Sequence, residues 1–152
     1  MPGVLVDSNV LLDVLTEDPE WFVWSAGALE RCADESELVL DPIVYAEVSV
    51  GFERIEELEA LLPHDAFVRA PLPWDAAFLA GKCFRAYRRR GGEKRSPLPD
   101  FYIGAHAAVS GLSLLTRDPG RYRTYFPKLR LIAPTSSRPP ASASRPPRRP
   151  GP

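Results

Sequence analysis

The sequence predicts a three-layer α/β fold on a mainly parallel sheet of about five strands, and three observations carry that prediction. Short apolar, β-prone runs alternate with helical patterns along most of the chain. A length of 152 residues is that of one domain, which on folding buries roughly two-thirds of the surface its unfolded chain exposes. Hydrophobic residues make up 45% and charged residues 26%, the ordinary balance of a soluble globular protein, which excludes a wholly disordered chain.

In order, Gly3–Asp7 is a short β run whose apolar centre, Val4–Val6, ends on Asp7. Ser8 and Asn9 open a helix with Val10, Leu11, Val14 and Leu15 at helical spacing, and Asp18-Pro19 stops it. A second helical pattern runs from Glu20 to about Ala33, and Leu38–Leu40 is a second buried strand. Asp41 suits an N-cap with Pro42 in the first turn, so a helix carrying Glu47 runs toward Gly51. Glu53–Leu62 is helical, Phe67–Arg69 a third strand, and Trp74 to about Arg90 a long helix closed by a basic turn and glycines. Pro99-Asp100 opens a helix to about Ser110. Leu112–Thr116, Gly120–Tyr125 and Leu129–Ile132 follow as strand, short helix and strand, with no internal repeats.

Seven of the 17 prolines fall between Pro134 and Pro152. That stretch has almost no large apolar side chain, so the folded domain is assigned to 1–133 and a disordered tail to 134–152. Cys32 and Cys83 have no metal-ligand spacing, and no leader is expected ahead of the first strand. A reduced, cytoplasmic protein is expected. No apolar run approaches the ~18 residues that span a bilayer, so no membrane partner is expected. The net charge of −1 conceals a division: residues 1–81 hold 3 basic and 17 acidic side chains, residues 82–133 hold 12 and 3, and the tail adds four arginines. Acids in one half can hold cations and bases in the other can meet phosphates, unless the blocks interleave in space.

Four acids stand out. Asp7 and Asp118 each follow an apolar run, and both fall at the carboxyl edge of a parallel sheet, where ligands gather, if the two runs are neighbours; Asp100 opens a helix. Asp7 and Asp100 also suit caps, and Asp118 in Asp-Pro-Gly suits a turn. Glu47, among Val44, Tyr45, Ala46, Val48 and Val50, is costly to bury unpaired. Carboxylates gathered without basic neighbours repel one another, and a divalent cation resolves the repulsion. With neither His nor Cys at hand, hard oxygen donors favour Mg²⁺ or Mn²⁺ over Zn²⁺. Such an ion activates water and offsets charge on a phosphate.

The segments VDSNVLLDVL, DPIVYAEV and LPDFYIGAHAAVSGLSLLTRDPGRYRTYFPKLRLIAP resemble the three landmark segments of PIN-domain ribonucleases, VapC-type toxins of toxin–antitoxin pairs in particular, over about residues 3–134. The resemblance implies a PIN-like α/β/α fold and a catalytic quartet of Asp7, Glu47, Asp100 and Asp118 around Mg²⁺ or Mn²⁺, with Asp7, Asp100 and Asp118 as metal ligands. It also implies supporting roles for Ser8, Asn9 and Thr116. The implied activity is endonucleolytic hydrolysis of RNA leaving a 5′-phosphate and a 3′-hydroxyl, by a toxin that inhibits translation. A homodimer and a cognate VapB-like antitoxin are the implied partners. The alternative is a catalytically silent PIN-like module that binds RNA or protein. A haloacid-type phosphatase needs an aspartate two places after the first, where this chain has Asn9.

Basic residues supply candidate RNA contacts. Arg117, Arg121 and Arg123 flank Asp118, and Arg88 and Arg89 belong to a basic stripe leading toward Asp100; such contacts position a strand without reading its sequence. Tyr102, Tyr122, Tyr125 and Phe126 suit core packing better than base stacking. His106 falls about 240° around its helix from Asp100 and is expected to be structural or at the surface. With His64 in a loop, no histidine general base is expected. Glu53, Glu56, Glu57 and Glu59 are expected on a solvated helix face, and Asp13 outside the site.

Overall fold

The computed structural model describes residues 3–136, 138 and 139. Its five strands are β1 (Val4–Val6), β2 (Leu38–Leu40), β3 (Phe67–Arg69), β4 (Ser113–Leu115) and β5 (Leu131–Ile132). They form one sheet in the order β3-β2-β1-β4-β5 with every neighbouring pair parallel. The expected mainly parallel sheet is wholly parallel, and β1, the first strand of the chain, is its centre. Parallel strands need a crossover between them, and seven helices supply these: α1 (Ser8–Leu15), α2 (Phe22–Glu35), α3 (Pro42–Ser49), α4 (Ile55–Leu61), α5 (Trp74–Arg89), α6 (Pro99–Ser110) and α7 (Gly120–Tyr125). The architecture is three-layered α/β/α.

The central strands are buried throughout, as strands covered on both faces must be: Leu5, Val6, Leu114 and Leu115 have no accessible surface. Around them pack Val10, Val44, Val48, Phe101, Ile103 and Tyr122. α5 lies along α6, and α6 also meets α3 and α7. Gly104 marks a close approach, since a Cβ there would stand 2.4 Å from the Phe126 ring. Gly111 ends α6 at φ 67°, the left-handed conformation of a C-cap.

Element ends shift by a few residues from the sequence reading, chiefly in β5, which begins at Leu131. Of the stretch assigned to a tail, Pro134 is buried and Thr135, Ser136, Arg138 and Pro139 are described; the rest lies outside the described residues. Among those residues no helix is long and apolar enough to cross a membrane.

Candidate active site

Register carries three polar residues to one edge. Val6 pairs with Leu115 and Leu5 with Val39, so the residues just past β1, β2 and β4, namely Asp7, Asp41 and Thr116, lie side by side at the carboxyl edge of the sheet. All three are buried.

Asp7 acts as a cap and as a site carboxylate together. Its Oδ1 accepts from the Ser8 amide at 2.8 Å. Oδ2 accepts from the Tyr122 hydroxyl at 2.8 Å and the Thr116 hydroxyl at 2.9 Å, with Asn9 Nδ2 at 3.5 Å. Burial pushes the Asp7 pKa up to about 6 and the charge of Asp100 adds to the rise, while the hydrogen bonds from Tyr122, Thr116 and Ser8 oppose it. Asn9 braces the corner from behind: its Nδ2 donates to Thr116 Oγ1 at 3.2 Å, and its Oδ1 accepts from the Arg117 amide at 3.1 Å.

The other acids reach Asp7 through hydroxyls. The Ser8 hydroxyl donates to Glu47 Oε1 at 3.1 Å. Glu47 is half-buried, and burial first, then the charges of Asp7 and Asp100, raise its pKa against the pull of that hydrogen bond. Asp100 lies in the first turn of α6 but does not cap it, because the N-cap is Leu98 and makes no side-chain bond. Instead Asp100 Oδ1 stands 3.3 Å from the Tyr122 hydroxyl, and Oδ2 accepts from Arg121 Nη1 at 3.2 Å. Asp118 is exposed; its amide donates to Thr116 Oγ1 at 3.1 Å. Its side chain shares with Asp100 an open cleft of about 410 Å³, rimmed by Gly120, Arg121 and Tyr125. The structure therefore strings the four acids along one edge, with Asp7 and Asp100 meeting at a single phenol.

Among the described residues, no three Asp, Glu, His or Cys side chains close on one point as a ready ligand set. The donor chemistry nevertheless fits a hard divalent ion: Mg²⁺ is ordinarily held by one or two carboxylates and completes its shell with water and phosphate oxygens. Asp7 and Asp100 could supply such a pair, and the charge of Asp100 adds to the rise in the Asp7 pKa.

The arginines divide. Arg117 gives its guanidinium to Asp13 in a two-point pair, Nε to Oδ2 at 2.8 Å and Nη2 to Oδ1 at 3.0 Å, and lies over the Trp21 ring. Asp13, also bonded by Ser25 at 2.7 Å, is outside the acid string as expected but anchors the loop that carries Asp118. Arg121 pairs with Asp100, and Arg123 is exposed beside Asp118. Arg88 Nη1 donates to the carbonyls of Gly92 and Lys94. Among the described residues, no hydrogen bond or ion pair ties Arg88 or Arg89 to the four acids.

Of two further expectations, His106 takes the structural of its two expected places and Glu59 needs correction. His106 is buried, and its Nδ1 lies 2.9 Å from Asp41 Oδ2, whose partner oxygen caps α3 through the Val44 amide. Glu59 is not a merely solvated acid: it takes two bonds from Arg69 and one from the Tyr45 hydroxyl, and these donors hold its pKa down at about 2. Tyr122 lies in the core as the sequence predicts, and its hydroxyl also bonds Asp7 and stands beside Asp100, contacts the sequence reading missed. The signal available was a hydroxyl-bearing ring four residues after Asp118 on a short helix, since a buried phenol needs a partner.

The PIN domain profile matches residues 4–127. Among solved structures, the chain is similar to VapBC2 from Rickettsia felis bound to a DNA fragment from their promoter, at TM-score 0.66 and 18% identity, covering 86% of this chain and 97% of that one. DNA-bound VapBC from Salmonella typhimurium is similar at TM-score 0.64 and 17% identity, covering 88% and 98%. A toxin–antitoxin complex from Klebsiella pneumoniae gives TM-score 0.59 and 25% identity over 79% and 90%. No curated protein matches the chain in sequence.

Proposed function

The chain belongs to the PIN-domain family, and we propose that it is a metal-dependent endoribonuclease, the VapC-like toxin of a toxin–antitoxin pair. One observation carries the reading: Asp7 and Asp100, 93 positions apart in sequence, share the hydroxyl of Tyr122 at 2.8 and 3.3 Å, with Glu47 and Asp118 strung along the same sheet edge. Asp7 and Asp100 would hold Mg²⁺ or Mn²⁺, with Asp118 at the cleft rim as a further oxygen donor. Bound there, the cation lowers the pKa of a water and offsets charge on the phosphate.

The chain's own groups do the rest. Ser8, Asn9 and Thr116 fix the carboxylates they touch. Glu47, its pKa raised by burial, takes the proton from the attacking water. Arg121 at the cleft rim and Arg123 beside Asp118 meet backbone phosphates and position the strand. Arg117, committed to Asp13, holds the Asp118 loop in place, and Arg88 and Arg89 lie farther along the RNA path. The products are a 5′-phosphate and a 3′-hydroxyl. In the cytoplasm such cleavage stops translation until a VapB-like antitoxin occupies the acidic edge, and two copies of the chain form the working toxin.

The rival is a silent PIN-like module that binds RNA or protein, and one observation favours it: among the described residues the side chains as they stand offer no closed set of three ligands. Incubating labelled RNA with the protein separates the two. Cleavage with Mg²⁺ or Mn²⁺ that stops on chelation, and that Asp7→Asn and Asp100→Asn abolish, is the expected outcome. Cutting by either variant at the wild-type rate refutes the assignment.

A further inference from the structure

Tyr122 has no part in the chemistry proposed above, yet its hydroxyl sits where that chemistry needs space. The residue is 1% exposed, and the phenol has one proton to give. That proton goes to Asp7 Oδ2 at 2.8 Å, while the same oxygen stands 3.3 Å from Asp100 Oδ1. Asp7 Oδ2 also receives the Thr116 hydroxyl at 2.9 Å, so both of its lone pairs are engaged. The preceding residue covers the other side of the pair, Arg121 Nη1 reaching Asp100 Oδ2 at 3.2 Å. Adjacent residues of α7 thus supply a hydrogen-bond donor and a positive charge at the face that the two carboxylates share.

We propose that Arg121 and Tyr122 form an internal latch that competes with the divalent cation for Asp7 and Asp100. The inference rests on the metal-dependent reading of this site and deepens it. With the cation absent, the phenol holds the two acids together and the guanidinium offsets their charge. A cation that ligates Asp7 Oδ2 and Asp100 Oδ1 must take the place of the hydroxyl between them. Affinity for the ion is therefore set partly by α7, which contributes no carboxylate. Tyr122 is a positioning residue in this scheme and not a catalytic one.

The test is calorimetric titration of the full chain with Mn²⁺. Tyr122→Phe keeps the ring in the core and removes only the donor, so it should bind Mn²⁺ about tenfold tighter, the equivalent of one hydrogen bond to a charged group. Arg121→Gln should tighten binding about threefold, in keeping with a half-exposed ion pair. Saturating the wild type with Mn²⁺ should give a tyrosine ultraviolet difference spectrum that Tyr122→Phe lacks; this readout from the wild type still decides the matter if the variant folds poorly. Unchanged or weaker Mn²⁺ affinity in a folded Tyr122→Phe, or saturation of the wild type without a tyrosine signal, overturns the latch while leaving the metal site standing. Absence of any saturable Mn²⁺ binding by the wild type that Asp7→Asn removes overturns both.

Discussion

Replacing Asp7 by asparagine should make the metal-free protein more stable above pH 7, although it removes a carboxylate that accepts several hydrogen bonds. Asp7 is 2% exposed, and its pKa in the fold rises from the ordinary 3.8 to about 6. Between those values the unfolded chain releases its proton while the native protein keeps it, so stability falls as pH rises through that window and stays low above it. At about 1.4 kcal/mol per pH unit, the cost of ionised Asp7 at pH 8 is about 3 kcal/mol. Asparagine has no such cost, but its amide nitrogen replaces an oxygen that accepted from Tyr122 and Thr116. Turning those hydroxyls round costs about 1 kcal/mol. The net gain of about 2 kcal/mol corresponds to a melting temperature about 4–8 °C higher at pH 8. Near pH 4 the wild type carries little of the charge and the variant should be the less stable. Thermal melts with chelator from pH 4 to pH 8 read the crossing directly. A difference that does not vary with pH, or a variant less stable at pH 8, would refute the argument that burial holds Asp7 toward neutrality.

Other outcomes follow from the same contacts. Mg²⁺ well above its dissociation constant should raise the wild-type melting temperature at pH 7.5 and leave Asp7→Asn unmoved, because an ion that binds only the native state stabilises it; an equal rise in both places the ion elsewhere. Arg117→Ala leaves Asp13, 2% exposed, with Ser25 alone and should cost about 2–3 kcal/mol in urea unfolding. Arg117→Lys should recover only part, since an ammonium cannot make both bonds. His106→Leu strands Asp41 Oδ2 in the core and should cost about 3 kcal/mol by the same measurement. Gly104→Ala forces a Cβ to within 2.4 Å of Phe126, and the overpacking should lower stability by about 1–3 kcal/mol.

What could be read before folding, and what could not, divides by distance along the chain. The strands were readable because each is a short apolar run beside turn chemistry, and a strand that ends on Asp7 and turns into a helix places that acid at the carboxyl edge with no knowledge of its neighbours. Glu47 and Asp100 were readable by local incongruity, a carboxylate on an apolar helix and another just after Pro99. The links between them were not. Ser8 to Glu47, Thr116 to Asp7 and Tyr122 to both Asp7 and Asp100 span 22 to 115 residues, and helical or strand periodicity carries no term for a partner that far off. The same limit explains Arg117. Beside Asp118 in sequence it suits a phosphate contact, whereas in the fold α1 presents Asp13 to it and the guanidinium is engaged. His106 shows what angle alone can do: its position on α6 turns it away from Asp100, but only the placement of β2 shows that it meets Asp41.

In the proposed mechanism Asp7 and Asp100 grip one ion together, and anomalous diffraction from a crystal grown with Mn²⁺ tests that directly. The expected result is a single strong peak with an oxygen of each carboxylate at about 2.1–2.2 Å, near the distance for a hard divalent ion in octahedral geometry, and the Tyr122 hydroxyl moved off Asp100. A peak that neither carboxylate touches, or none at a Mn²⁺ concentration that supports RNA cleavage, contradicts it.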